Sequence, residues 1–434
     1  MRLTRPAWIV LLAIVFLCAF GLRVAAIKKT PRFDHHVDLE IYRSGGALVV
    51  NGVNPYDYSD NLALRASLHR GAQDPVLLGV DQARWDYYAG SNLPMNVLFF
   101  AGMSAMSDDP RLYRYAFAFF DSVLAALIVW FVIRCWGTMP AAEGSFPHSQ
   151  RESAEYVPIW RLAVGLVLGC FSPVTLKWAG VLPEDKDIEV LLLMAAIVCC
   201  LSLSFRVWYW MGALFLGLAI AFKGLGIFLV PMFAQRLLKL ERARWMRLLV
   251  FAVLVGLFVI VWALPFWQGI VKMVSNRLLL ASSLEPQHSS MWIFAYARFA
   301  GGWKIFRLGT VFILGAVSLL GYWRKRIGLD VVCATFLLMF VCVWLINGSM
   351  DRQNIALLPA LLVLGMRSVR MALICALPYL LGGVAGFISR SPVNEVREAT
   401  GVLLFVVTYL AALCWLSFSR QGTQSLRREA SVRA

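Results

Sequence analysis

An acidic segment near the N-terminus of this 434-residue chain carries the residues best suited to chemistry. Asp34, Asp38 and Tyr42 follow one another at intervals of four residues, so on a helix they would share one face. The pair His35-His36 lies between the two aspartates. This pattern predicts a general base or a metal pair, although adjacent histidines do not share a helix face and make a weak metal site. The simpler alternative is a solvated loop with an acidic helix cap.

A second acidic cluster, Glu184, Asp185 and Asp187, follows Lys177. In soluble nucleotide-sugar transferases a D-x-D pair of this kind binds a metal and a diphosphate, but no α/β nucleotide domain surrounds it here. Two interpretations stay open. The cluster is a charged turn that ends two apolar segments, or it faces the first acidic segment and adds carboxylates or a lysine to the same site.

Cationic groups in apolar surroundings are the third kind of candidate. Lys223 interrupts the apolar run Ala219–Gly226, where an ammonium is costly, so a functional role is the default hypothesis. Neighbouring glycines indicate that the helix opens at that point. Asp121 belongs to the same class, unless it simply pairs with an arginine. The segment 267–307 adds basic groups that could bind a lipid phosphate, or that could simply extend to lipid headgroups.

The composition indicates which elements must position these residues. Hydrophobic residues make up 60% of the chain and charged residues only 15%, whereas soluble domains are about 25% charged. Disorder is excluded because it requires low hydrophobicity. The predicted class is therefore an all-α, polytopic integral membrane protein, in which a spanning helix needs about 20 apolar residues. The clear candidate spans are Trp8–Ile27, Leu112–Ile133, Ile159–Leu176, Ile188–Ser204, Trp208–Phe222, Leu248–Phe266, Leu308–Trp323, Val331–Ile346, Ile355–Met366, Met371–Ile388 and Val402–Phe418.

Two shorter apolar segments decide the topology. Leu225–Ala234 lies between Lys223 and a basic run, and it is interpreted as a twelfth, short span. Leu93–Met106 is more typical of an interfacial or re-entrant helix. In a rival topology Leu93–Met106 crosses the membrane and Trp208–Ala234 forms one fused span.

The formal net charge of +16 is interpreted as a topological signal rather than as nucleic-acid binding. In the preferred topology the loops placed inside are strongly basic and the outer segments are nearly balanced, which fits the positive-inside rule. Both termini are then cytoplasmic, and both acidic clusters face outward. The first span carries Arg23 and lacks a clear cleavage site, so it is not expected to be a signal peptide. All nine cysteines lie in or beside apolar stretches, so no disulfide framework is predicted.

From the residues alone, the chain predicts a membrane-embedded site at the outer leaflet. One loop supplies its carboxylates, and other segments supply its cations. Such a site suits chemistry on a lipid-linked phosphate, but it would also suit a proton-coupled transporter. The sequence contains no Walker loop, G-x-S-x-G elbow or zinc signature.

The order of several short motifs resembles the GT-C superfamily of membrane glycosyltransferases, and most closely glycosyltransferase family 87, which uses polyprenol-phosphate mannose. The matching motifs are Asp38-Leu39-Glu40-Ile41-Tyr42, Gly45-Gly46-Ala47, Gly52-Val53-Asn54-Pro55-Tyr56, Tyr87 through Pro94, Lys223 ahead of a span, and Gln287-His288-Ser289-Ser290 through Arg298. The chain departs from the family at the G-Q-x-[ND] motif, because Val181 follows Gly180 where the family has glutamine.

The resemblance implies one GT-C-like domain over residues 1–434. Its parts would be a first outer catalytic loop (28–92) with short helices along the membrane, a late outer loop (267–307) and a basic cytoplasmic tail (419–434). It also implies an inverting transfer from a polyprenyl-phosphate sugar to a lipid-linked or cell-envelope glycan acceptor. Mannose is the family's sugar. Another hexose or a pentose, and a divalent metal, stay open.

The resemblance also implies roles for individual residues. Asp38 is the expected catalytic base, with Asp34 and Glu40 as fallbacks. The residues expected to bind the donor phosphate are Lys223, His288, Arg298 and Arg352. The aromatic residues expected to line the substrate site are Tyr42, Tyr56, Tyr88 and Trp292. Two other functions stay open: a lipid or ion transporter or flippase, and a polymerase or ligase that uses lipid-diphosphate sugars.

Overall fold

The computed structural model describes residues 2–3, 5–34, 36–58, 93–138, 155–156, 159–171, 176–182, 185–201, 206–239, 244–267, 269–271, 305 and 309. The predicted all-α class is confirmed for this part of the chain, where two two-residue strands are the exception to helix and turn. The α-helices are α1 (Arg5–Lys29), α2 (Val37–Val50), α3 (Pro55–Tyr58), α4 (Pro94–Met106), α5 (Pro110–Thr138), α6 (Ile159–Gly169), α7 (Lys186–Leu201), α8 (Arg206–Lys223), α9 (Val230–Lys239) and α10 (Arg244–Ala263). Apart from residue 309, the predicted spans from residue 308 onward lie outside the described residues.

Three of the described helices are long and apolar enough to cross a membrane: Pro6–Lys29, Pro110–Trp130 and Trp245–Phe266. They coincide with predicted spans. Most of the side chains of the first and third face outward from the packed interior, with large apolar residues such as Ile9 and Leu257 well exposed. A hydrocarbon environment would accommodate such surfaces.

The helices α1 and α5 pack antiparallel against each other. Near the start of α1, Trp8 and Val15 belong to the same apolar cluster as Val129 near the far end of α5. At the other end, the guanidinium of Arg114 in α5 donates to the backbone oxygen of Thr30, just after α1, at 2.9 Å. We call the end with Thr30 the site end of the bundle, because it carries the candidate residues.

The opposite end of the bundle holds the only β pairing among the described residues. Arg2–Leu3 pairs antiparallel with Glu155–Tyr156. This pairing joins the segment that enters α1 to the segment that enters α6.

Helix α8 ends at Lys223 because the next residue is a glycine in the left-handed region. Gly224 has φ +83°, a conformation that residues with a Cβ rarely adopt, and its N–H donates to the backbone oxygen of Ile220 at 2.9 Å. A 3-10 turn, Leu225–Leu229, follows, and α9 then runs back along α8. Phe233 in α9 lies beside Gly212 of α8. The fused span Trp208–Ala234 of the rival topology is therefore wrong.

Helix α4 runs across the site end of the bundle. At 13 residues it is about 20 Å long, shorter than a spanning helix needs. Near its start Asn96 contacts Asp185, and near its end Ser104 contacts Tyr113 in the first turn of α5. Both contacts lie at the same end, because Arg114 also bonds the backbone oxygen of Gly180, shortly before α7.

Close packing of α2 against α4 depends on Gly46. A Cβ at this position would lie 2.5 Å from the backbone oxygen of Phe100 in α4. The absence of a side chain therefore lets the two helices approach. Tyr42 extends the same interface by stacking on the Phe100 ring, with centroids 4.4 Å apart.

Candidate functional site

Asp38 lies in the first turn of α2 with its carboxylate partly open to solvent. Its side chain is 32% exposed. His36, two residues before Asp38, is the N-cap of α2. Its Nδ1 lies 3.4 Å from the backbone nitrogen of Asp38 and 3.3 Å from the carboxylate. A neutral Nδ1 accepts from the backbone N–H, and a protonated Nδ1 donates to the carboxylate. The negative charge is further stabilised at a helix N-terminus.

Asp34 is placed differently from the prediction. It follows the 3-10 turn Pro31–Phe33, and α2 begins only at Val37. The predicted shared face of Asp34, Asp38 and Tyr42 is therefore wrong for Asp34, because the histidine cap separates it from the helix. Asp34 is buried, and its two oxygens pair with Arg114 and with Arg111, the latter at 3.1 Å.

Arg114 ties three segments together at the site end. Besides Asp34, it donates to the hydroxyl of Thr30 at 2.8 Å and to the backbone oxygens of Gly180 and Val181 at 3.1 and 3.2 Å. It is fully buried. Local spacing gives no sign of this role, because its partners are distant in the chain.

Glu40 is also engaged in an ion pair. It is buried, and its carboxylate accepts from Arg43 at 2.8 Å one turn later in α2. The same guanidinium donates to the backbone oxygen of Asp108 at 2.9 Å, between α4 and α5. Of the three carboxylates in the first acidic segment, Asp38 is therefore the one that has no arginine partner among the described residues and is partly exposed.

Asp185 forms the centre of a polar cluster that joins four elements. One oxygen accepts from the Tyr42 hydroxyl of α2 at 2.9 Å and from the ammonium of Lys223 at the end of α8. The other accepts from the amide of Asn96 in α4 at 2.7 Å. Asp185 itself directly precedes α7. We call Tyr42, Asn96, Asp185 and Lys223 the Asp185 cluster.

The electrostatics of the cluster favour the carboxylate form of Asp185. Burial by itself raises the pKa of this carboxyl. The charges of Lys223 and Lys186, with the hydrogen bonds from Lys223 and Asn96, more than offset burial, so the pKa of Asp185 lies below its usual range. The carboxylate therefore accepts hydrogen bonds on both oxygens and donates none.

Tyr42 brings the first acidic segment and the second acidic cluster together. It lies one turn after Asp38 in α2, about 6 Å further along the helix axis, and on the same face. Its hydroxyl reaches Asp185, which in turn holds Lys223. The partly exposed carboxylate of Asp38 thus lies one helical turn from the residue that bonds the Asp185–Lys223 ion pair. Lys223 retains partial exposure, with 17% of its side chain open.

Asp187 and Glu189 are buried in the first turn of α7. Asp187 interacts electrostatically with Asp121 and Arg23, and neither of its oxygens has a hydrogen-bond partner among the described residues. Asp121 pairs with Arg23. This confirms the simpler of the two sequence interpretations, in which Asp121 pairs with an arginine. Asp187 also interacts electrostatically with Asp185, and all of these ionisable groups are buried.

The remaining sequence candidates contribute less to this site or lie outside the described residues. Tyr56 is buried in an apolar cluster with Val97 and Phe266, and its ring lies 5.4 Å from that of Phe266. Within the described ranges no three histidine, cysteine or acidic side chains are placed to hold a metal ion. The candidates outside the described residues are Glu184, Tyr88, His288, Trp292, Arg298 and Arg352.

Asn96 and Arg114 are the polar residues that the sequence interpretation missed. Asn96 follows Pro94 at the start of a short apolar helix. A single amide in such an apolar segment is the sequence feature that could have identified it. No protein-family model matches this sequence, and no curated protein matches it either. The resemblance to the GT-C superfamily stays a prediction, and the function is inferred from the geometry above.

Proposed function

We propose that the protein is an inverting glycosyltransferase that moves a sugar from a polyprenyl-phosphate donor to a lipid-linked or cell-envelope glycan acceptor. The observation that carries the proposal is that the partly exposed carboxylate of Asp38 lies one helical turn from Tyr42, whose hydroxyl bonds Asp185 in the lysine-containing cluster. A base and a cation in one place are what hydroxyl activation and phosphate departure require.

The proposed location is the plasma membrane, with the site end facing the outer leaflet and both termini in the cytoplasm. Three apolar helices of spanning length support this placement. The separation of the Arg2–Leu3 pairing from the Asp185 cluster, at opposite ends of the bundle, also supports it. The donor's polyprenyl chain would then lie in the bilayer against the exposed apolar helix surfaces.

In the proposed reaction, Asp38 accepts the proton of an acceptor hydroxyl. That oxygen attacks the anomeric carbon from the face opposite the phosphate. The bond between this carbon and the phosphate oxygen breaks, its electron pair leaves with polyprenyl phosphate, and the anomeric configuration inverts. The base must come within about 2.6–3.2 Å of the hydroxyl. Asp34 and Glu40 are less suited, because arginines already occupy their carboxylates.

The leaving phosphate needs preorganised positive charge. Lys223 is the described candidate, because an ammonium has three N–H donors and the carboxylate of Asp185 fixes its position. His288, Arg298 and Arg352 would add to this charge, as the family resemblance implies. Mannose is the first sugar to test, with other hexoses and pentoses after it.

The deciding experiment is incubation of the purified protein in lipid nanodiscs with polyprenyl-phosphate sugars and a glycan acceptor. Release of polyprenyl phosphate together with sugar transfer is expected. Asp38→Asn should lower transfer by about 10²- to 10⁴-fold, because it removes a general base, while folding and insertion are retained. Asp108→Asn, which alters an exposed acid outside the site, is the matched control. Normal transfer by Asp38→Asn would refute the assignment of the base.

Two other functions are distinguished by the same preparation. The buried ionisable groups Arg23, Asp121 and Asp187 are what a transporter would use as a relay, so substrate uptake without sugar transfer would favour a transporter or flippase. Transfer from lipid-diphosphate sugars, with none from monophosphates, would favour a polymerase or ligase.

A further inference from the structure

Two buried acceptor oxygens beside the Asp185–Lys223 pair have no hydrogen-bond partner among the described residues. They are Oδ1 of Asn96 and Oε1 of Glu189. Both residues are essentially inaccessible, with 0% and 2% exposure. Buried polar atoms are nearly always paired in native proteins, so an orphaned acceptor calls for an explanation.

The orientation of the Asn96 amide follows from its neighbour. The ionised carboxylate of Asp185 can only accept, so the NH₂ group of Asn96 must face it. Oδ1 therefore points away from Asp185 as a free acceptor. An amide flip would leave two acceptors facing each other and would lose the 2.7 Å hydrogen bond.

Glu189 brings its acceptor to the same region. It lies four residues after Asp185, and its N–H bonds the backbone oxygen of Asp185, so Glu189 lies one turn into α7 from Asp185. Glu189 interacts electrostatically with Lys223 and with Asp185. Asp187, two residues after Asp185, interacts with Asp121 and Arg23 as well as with Asp185.

The chemistry of this region selects its ligand. A group that satisfies both acceptors must donate hydrogen bonds. An ionised phosphate diester has no donor and would be repelled by the carboxylate of Asp185. A sugar ring carries several hydroxyls, each of which can donate to a carboxylate or amide oxygen and accept from an ammonium. Ordered water could also pair with these oxygens.

We propose that Asn96 and Glu189 bind hydroxyl groups of the donor sugar, beside Lys223, and thereby determine which sugar is transferred. This inference rests on the proposed glycosyltransferase function. The sugar ring would lie against Asn96 and Glu189, with the anomeric phosphate on the side of Lys223 away from these acids. A site that hydrogen-bonds a particular hydroxyl discriminates strongly against a sugar that presents it differently.

The test compares two donors that differ in one hydroxyl, polyprenyl-phosphate mannose and polyprenyl-phosphate glucose. The variants are Asn96→Ala and the isosteric Glu189→Gln, with Asn51→Ala as the control for an exposed asparagine. We expect the ratio of kcat/KM for the two donors to fall by about 10-fold or more in each site variant. The control should leave the ratio unchanged. If Asn96 and Glu189 only stabilise the fold or bind water, both donors slow equally and the ratio stays within about twofold, which overturns the inference.

A binding measurement separates this inference from the function on which it rests. Thermal unfolding of the protein in detergent is followed with each donor alone, without an acceptor. The wild-type protein should be stabilised more by one donor than by the other, and Asn96→Ala and Glu189→Gln should lose that difference. Donor discrimination without any transfer would refute the transferase but keep the sugar site. Transfer with an unchanged donor ratio would keep the transferase and refute the sugar site.

Discussion

At the scale of single residues, Asp34, Asp38 and Glu40 show how surroundings separate acids that look equivalent in the sequence. Asp34 and Glu40 are buried and paired with arginines, whereas Asp38 is partly exposed beside a histidine. A buried carboxylate that compensates a buried guanidinium is committed to the fold. An accessible carboxylate is available to take a proton.

Asp34 should therefore matter for stability more than Asp38 does. Asp34→Ala leaves the guanidinium of Arg114 buried without a carboxylate to balance its charge, so we expect a loss of about 3–5 kcal/mol in the free energy of unfolding. Arg111→Ala should cost much less, because that arginine is 58% exposed and exposed ion pairs contribute little. Denaturation of the detergent-solubilised variants measures both. Equal costs for Asp34→Ala and Asp38→Ala would contradict this division of roles.

The Asp185 cluster has a defined response to pH. Since the pKa of Asp185 is lowered in the folded protein, the unfolded chain takes up the proton first as the pH falls. The stabilisation from Asp185 is thus fully present above its ordinary pKa of about 3.9 and is lost as the pH falls through the lower folded value. The stability difference between wild-type and Asp185→Asn proteins should stay constant between about pH 5 and 8 and shrink in stronger acid. A difference that changes near neutral pH would contradict the assignment.

At the scale of elements, the approach of α2 to α4 positions Asp38 relative to the Asp185 cluster. Gly46 faces the backbone of Phe100, while Gly45, its neighbour, has open space around its Cβ direction. The two glycines therefore provide a matched pair. Only one of them is needed for the helices to pack.

Gly46→Ala should separate the two helices, because the added Cβ would lie 2.5 Å from a backbone oxygen that cannot move alone. We expect a loss of about 1–3 kcal/mol in the free energy of unfolding together with reduced transfer, since α2 carries Asp38. Gly45→Ala should be neutral or stabilising by up to about 1 kcal/mol, because alanine favours a helix interior. Thermal unfolding and the transfer assay compare them. Similar effects of the two substitutions would rule out a packing role specific to Gly46.

Local sequence patterns predicted the helices more accurately than they predicted the contacts between helices. The glycine after Lys223 predicted that α8 would open there, and the length of Leu93–Met106 predicted a helix too short to span. The four-residue spacing of Asp38 and Tyr42 likewise predicted a shared face. The ion pair of Arg114 with Asp34 and the bond of Asn96 to Asp185 join residues 80 and 89 positions apart. No local spacing encodes such contacts, because they depend on how whole helices pack.

At the scale of the whole molecule, the described helices have two chemically distinct ends. The site end gathers Asp38, the Asp185 cluster and the ion pairs of Arg114. The other end holds the pairing of Arg2–Leu3 with Glu155–Tyr156. Polar segments at both ends of a bundle with apolar outer surfaces are consistent with water on both sides of a membrane and lipid between them.

The membrane orientation can be tested with single cysteines introduced into a cysteine-free background. Lys28 and Asp109 flank the first outer segment and α4, whereas Arg206 and Arg244 begin α8 and α10 at the other end. A membrane-impermeant thiol reagent applied to intact cells should label Lys28→Cys and Asp109→Cys. The reagent should label Arg206→Cys and Arg244→Cys only after the membrane is permeabilised. The reason is that α4 runs across the site end without crossing the bundle, so Lys28 and Asp109 share one side. Labelling of Asp109→Cys from the inside alone would mean that α4 crosses the membrane. Asp38 and Lys223 could not then meet at one surface, and the proposed transfer site would fail with that result.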